Sequence, residues 1–167
     1  TLMASLAQEE SRKISERVKW GQLRRMEQGV VFGRDLLGYT VQNGQIFIND
    51  AESPIVRRIF HKYTEEGKSA RRIAAELLEE GFTPKYAARW SPGVIIKILR
   101  NEKYAGDLCQ KKTITPDYLT HRKASNHGEE EFIFIKNHHP PIIDRELWER
   151  TQAELARRAR RRPGKTR

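Results

Sequence analysis

Apolar residues fall at helical spacing in five stretches of this chain, with short alternating or continuous apolar runs between them. Residues 1–29 predict one long helix stopped by Gly29. At about 100° per residue, Leu2, Leu6, Lys13, Arg17, Trp20 and Arg24 share one face. That face is apolar at its start and basic, with one aromatic, at its end. Ile14 and Val18 lie on an adjoining face. Residues 30–37 read as an extended linker containing Gly33-Arg34. Tyr39-Thr40-Val41 and Ile46-Phe47-Ile48 flank Asn43-Gly44, which predicts a β-hairpin closed by a type I′ turn.

Three helices are expected next. Ser53 as N-cap before Pro54 opens the first, with Ile55, Val56, Ile59, Phe60 and Tyr63 inward and an end near Gly67. Ser69 caps the second, with Ile73, Leu77 and Leu78 inward and Gly81 as its stop. After a loop over 82–90, Ser91-Pro92 opens the third, whose buried side is Val94, Ile95, Ile98 and Leu99. Ala105–Lys111 predicts a strand, 112–130 a polar mobile stretch, and Phe132–Ile135 a strand suited to burial. Asp144 caps a last helix with Leu147, Trp148 and Leu155 inward. The expected fold class is α+β: a long N-terminal helix, then a helical, loosely helix-turn-helix-like domain with small antiparallel β elements.

Charge sharpens this picture. The chain of 167 residues carries a formal +10, placed at its ends. Residues 1–25 hold six basic and three acidic side chains, 26–156 hold nineteen of each, and 157–167 hold seven basic and none acidic. A neutral body with basic ends suits a polyanion passing those ends better than a uniformly adhesive surface. Cys109 is the one cysteine, so neither a disulfide framework nor a cysteine-rich zinc site can form, and a reducing cytoplasm fits. No stretch approaches the roughly 18 apolar residues of a membrane span. The chain opens at Thr1 inside an expected helix, which reads as a piece of a longer protein.

Three groups of residues offer chemistry for DNA. On the long helix, Arg12, Lys13, Arg17, Lys19, Arg24 and Arg25 can reach phosphates, and Trp20 can lie along a sugar edge. The alternative is a helix docked on its own domain with Trp20 in the core. On the third body helix, the face opposite the buried one shows Gly93, Lys97, Arg100, Asn101 and Tyr104, types able to bond base edges and phosphates. Arg71 and Arg72 sit near the start of the preceding helix, as on a supporting helix that crosses a backbone. The alternative there is an ordinary three-helix core with solvated lysines. Arg34, beside Gly33, suits a narrow minor groove. Leu2, Leu6, Ile14 and Val18 are the candidates for oligomer contacts. Neither a catalytic residue nor a metal or cofactor site is expected: Glu129-Glu130-Glu131 reads as a loop edge, and His138-His139 before two prolines reads as a turn.

Several of these segments together resemble a known family. Ser5-Leu6-Ala7-Gln8-Glu9-Glu10-Ser11 with Ile14-Ser15-Glu16-Arg17-Val18 is similar to the long helix of serine recombinases. Gly38-Tyr39, Ile55-Val56-Arg57-Arg58-Ile59-Phe60, Ile73-Ala74-Ala75-Glu76-Leu77, Trp90-Ser91-Pro92, Ile98-Leu99-Arg100-Asn101, Tyr104-Ala105-Gly106 and Pro140-Pro141-Ile142-Ile143 resemble the recombinase domain of the large serine recombinases, or serine integrases. The resemblance implies site-specific cutting and rejoining of DNA by the whole enzyme, in phage integration or mobile-element transfer. It implies a long helix that makes dimer and tetramer contacts and crosses the minor groove, and a domain that binds the flanking half-site of double-stranded DNA. Ser5, Ser11 and Ser15 do not match the nucleophile motif, and the cysteine-rich zinc ribbon has no counterpart here. The expected organisation is a long helix (1–29), a linker (30–37), a DNA-binding domain (38–156) and a basic tail (157–167). A winged-helix transcriptional regulator and a pure protein-interaction helix with a docking body are the other two readings.

Overall fold

The computed structural model describes residues 1–116, 119–120 and 122–161. The α+β expectation holds: five α-helices and three separate two-stranded antiparallel sheets are described. Helix α1 spans Leu2–Glu27, with the Thr1 hydroxyl accepting from Ala4 N–H. Gly29 follows in the left-handed region at φ 83°, the conformation that ends a helix and that glycine reaches without strain. No residue of α1 is buried.

Strands β1 (Tyr39–Gln42) and β2 (Gln45–Ile48) form the predicted hairpin, pairing Tyr39 with Ile48 and Val41 with Ile46. Asn43 and Gly44 both take positive φ, 52° and 73°, as a type I′ turn requires. Helices α2 (Ser53–Thr64), α3 (Ala70–Glu79) and α4 (Pro92–Leu99) pack on one another, and α5 (Arg145–Arg160) lies along α2. The core between them contains Val56, Ile59, Phe60, Ile73, Leu77, Ile95 and Leu99, all fully buried. Tyr39 and Tyr104 stack at 5.9 Å in its floor. Their hydroxyls donate to the carbonyls of Pro140 and Leu37, each at 2.8 Å, so two buried phenols are satisfied.

Five local expectations are corrected. Ser53 is the first helical residue and is buried, while Glu52 occupies the N-cap position, so serine-before-proline is not the cap here. Leu78 points outward at 67% exposure, because Ile73 and Leu77 already complete the buried stripe of α3. In place of one long strand, Glu102–Ala105 is a 3₁₀ turn, and β3 (Leu108–Gln110) follows, paired with β6 (Ile133–Ile135). That ribbon is two strands wide, which leaves Phe132 and Phe134 exposed, where burial was expected. The polar stretch after β3 contains a paired ribbon, β4 (Thr113–Ile114) with β5 (Ala124–Ser125), and a buried Asn126 whose amide donates to Lys111 O and Glu130 O.

The body and α1 meet along the second half of the helix and at its end. His138 Nε2 lies 2.7 Å from Gly29 O, and His139 Nε2 lies 2.6 Å from Lys103 O. Carbonyl oxygens only accept, so both Nε2 atoms donate, and the two rings tie the exit of α1 to the 3₁₀ turn. Their remaining Nδ1 atoms face each other at 3.0 Å. These histidines are therefore bonded to backbone, and among the described residues no group of three or more His, Cys, Asp or Glu is arranged to hold a metal.

Candidate nucleic-acid interface

The structure sorts the predicted basic residues by what already neutralises them. On α1, Arg12 pairs with Glu16 at 3.0 Å, Lys13 with Glu9 at 3.5 Å and Arg24 with Glu27 at 3.4 Å. All six side chains are about half or more exposed, so these are weak surface pairs, each worth roughly 0.2–1 kcal/mol, that an anion can displace. Arg17 is exposed with no acidic partner among the described residues. Lys19 donates to Thr115 O at 3.2 Å. Trp20 is 62% exposed, with the Arg24 guanidinium 5.3 Å from its ring, which excludes a place for it in the core. Arg25 stands over Phe32 at 5.1 Å. Leu2, Leu6, Ile14 and Val18 are likewise exposed, between 53% and 79%.

The linker is braced at both ends and projects in its middle. Buried Gln110 accepts from Phe32 N–H and donates to Val30 O, both at 2.9 Å, as a second strand would. On the far side, Asp35 accepts from Val41 N–H at 2.7 Å. Between these anchors Gly33 and Arg34 are exposed, and Gly33 takes φ 144°. The Arg34 guanidinium lies 3.8 Å from the ring of Tyr86, an exposed residue of the α3–α4 loop. Neither Gln110 nor Tyr86 was singled out from the sequence. Gln110 acts on residues 78 and 80 positions away and Tyr86 on one 52 positions away, and no local pattern signals such a contact.

Helices α3 and α4 present a second set. Lys97 and Arg100 are exposed and unpaired with any acid among the described residues, as is Arg71. Arg72 is different. Its Nε donates to Glu76 at 2.8 Å, and Glu76 also receives Lys62 at 2.5 Å and Lys68 at 2.8 Å. Those donors, Lys62 first, hold the Glu76 carboxyl down to about 2. Arg72 thus belongs to a network that fastens α3 to α2. Two other expected members of the outer face are placed elsewhere. Tyr104 is buried at 2% exposure. Asn101 is half-buried, its side-chain oxygen accepting from Lys103 N–H as the cap of the 3₁₀ turn. Both sit past the end of α4, where the chain leaves helical geometry, so helical spacing no longer describes their direction.

The basic tail is partly structured. Helix α5 continues to Arg160, beyond the expected boundary at 156. Arg157 and Arg158 both engage Glu154, and Arg158 packs 4.1 Å from the Tyr63 ring while donating to Lys68 O at 2.8 Å. The remaining tail, 162–167, lies outside the described residues.

Comparison with known proteins agrees with this architecture. The profile of the Recombinase family matches residues 50–158. No curated protein matches the chain significantly. A solved structure described as an LSR–DNA complex superposes with a TM-score of 0.61 at 22% identity, covering 86% of this chain and 38% of that one. A second, concerning the sequence requirements of the Listeria innocua prophage attP site, gives 0.59 at 22% identity, covering 84% and 52%. The chain thus spans about 38% and 52% of the two solved chains it matches. The likeness to large serine recombinases expected from the sequence is borne out, and the chain belongs to the Recombinase family.

Proposed function

We propose that this chain is the double-stranded-DNA-binding segment of a site-specific serine recombinase, and that α1, the linker and α4 grip one duplex together. The observation that carries the reading is that Arg17 on α1, Arg34 at the linker apex, and Lys97 and Arg100 on α4 are exposed cations with no acidic partner among the described residues. Solvated cations release counterions from DNA at little cost, whereas Arg72 and Arg158 would first have to leave carboxylates. In this reading α1 and Arg34 contact backbone and minor groove, and α4 reads base edges in a half-site. Residues 1–29, 30–37, 38–156 and 157–167 divide the work as helix, linker, reading domain and tail. The exposed Leu2, Leu6, Ile14 and Val18 form the contact with further copies in the assembled enzyme. Cleavage belongs to the catalytic serine of the parent enzyme and not to any serine of these residues. The family match favours a recombinase over a transcriptional regulator.

The test is duplex binding across a salt series, using a random-sequence duplex library followed by the sites selected from it. Selected sites are expected to bind with nanomolar to micromolar Kd, and log K to fall with log salt by about 0.9 per phosphate contacted. Salt-independent binding, or no sequence enriched over the library, overturns the reading.

A further inference from the structure

Two lysines of this chain are taken out of water in opposite ways. Lys62, 7% exposed, is bonded to Glu76 at 2.5 Å and Glu80 at 2.7 Å. Lys103, on the 3₁₀ turn, is half-buried, and its ammonium has neither an acidic nor a carbonyl partner among the described residues. Burial, and then the neighbouring Lys112, push its pKa down. Lys103 lines an open cleft of about 620 Å³ between α1 and the β3–β5 region. Lys19 and Trp20 enter that cleft from α1, Lys111 and Lys112 from the end of β3, and Lys123 from the start of β5. Glu130 and Glu102 compensate Lys111 and Lys112, each at 2.7 Å. Lys123 has no acidic partner among the described residues. Five lysines therefore line the cleft against one lining carboxylate, Glu130, with Glu102 pairing Lys112 from outside the lining.

We infer that this cleft seats backbone phosphates of duplex DNA, with Lys103 as the central contact and Lys19 and Lys123 beside it. The inference rests on the DNA-binding reading above and adds to it a contact surface that neither the linker nor α4 supplies. A partly desolvated cation with no partner is unfavourable in the free protein, and an anion that enters the cleft removes that cost. The occupant is a phosphate chain because one wall of the cleft is α1 itself. Lys19 and Trp20 continue into the exposed Arg17 and Arg24 on the same helix, so charge runs out of the cleft along a line.

The experiment compares Lys103→Gln, Lys103→Met and Lys103→Arg in the whole chain. A lysine kept only for the fold would lower the unfolding temperature when replaced. Here Lys103→Gln and Lys103→Met are expected to leave it unchanged or raise it. Both are expected to weaken duplex binding about 5- to 20-fold, equally for all sequences, and to make the salt slope shallower by about 0.9. Lys103→Arg restores affinity and slope. A parent that binds duplex steeply, with the Gln and Met variants matching it in affinity and slope, overturns the cleft alone. A parent that binds no duplex overturns the DNA reading and the cleft with it. Inorganic tripolyphosphate probes the other source of phosphate. If it stabilises the parent while duplex binding ignores Lys103, the cleft serves a small anion and the duplex assignment falls.

Discussion

Helices α1 and α4 are the two helices proposed to meet DNA, and they are held in opposite ways. Helix α4 has eight residues, of which Ile95 and Leu99 are buried, and Ser91 and Pro92 fix its start. Its outward face is therefore determined by its inward one. Helix α1 has 26 residues and buries none of them. Its described ties to the body, at Lys19, Gly29 and Val30, lie in its second half and just past its end. A helix without a buried face owes little to packing, and nothing in the body dictates what its first half touches. The difference separates two roles. One helix is a fixed reading head, and the other is a lever whose partner completes it.

The largest effect that could break this comparison is on stability. Leu99→Ala removes a fully buried side chain from α4 and is expected to cost about 2–5 kcal/mol. Leu6→Ala on α1, at 58% exposure, is expected to stay within about 0.5 kcal/mol. Urea unfolding of both variants measures the gap, and equal losses would mean that α1 is packed after all. Next comes DNA binding. Lys97→Ala and Arg100→Ala are each expected to lose about 1–3 kcal/mol on selected sites and to narrow the preference over random duplex. Arg17→Ala with Arg24→Ala should weaken all duplexes alike, because a backbone contact carries no sequence information. Titrations on selected and scrambled duplexes distinguish the two patterns.

A smaller effect concerns the cap of the reading head. The Ser91 hydroxyl accepts from Val94 N–H, and Ser91→Ala is expected to cost about 1 kcal/mol in urea unfolding. Removing an α1 pair instead, with Glu9→Gln, should stay near zero. The acid limb sharpens the contrast further. The Glu76 carboxyl is held from 4.5 down to about 2 by Lys62, Lys68 and Arg72. A depressed carboxylate contributes stability that is present above its unfolded value and is lost as pH falls from about 4.5 towards 2. Unfolding midpoints across that window should decline in the parent, and Glu76→Gln should flatten the decline.

Much of the fold was legible because its signals are local. Asn43-Gly44 needs only its own backbone to make the turn. Ser69, Ser91 and Asp144 cap their helices within three residues of themselves. The stripe of Val56, Ile59, Phe60 and Tyr63 repeats at the period of the helix it forms. The errors fall where an element's context decides. Phe134 belongs to an apolar run, yet a ribbon two strands wide has no layer to cover it. Tyr104 follows the exposed residues of α4 in sequence, yet the 3₁₀ turn rotates it into the core.

The same division runs through the candidate interface. The sequence alone determined which helices are basic, where the linker carries its arginine, and the family to which the segments belong, since residue types and short spacings encode these. Only the tertiary structure decided which cations are free. Arg72 is bound to a carboxylate that α2 also holds, Arg34 lies on a tyrosine from a distant loop, and the Lys103 ammonium has no ion-pair partner among the described residues. Charge is a property of a residue, but its availability depends on what the fold places within about 4 Å of it.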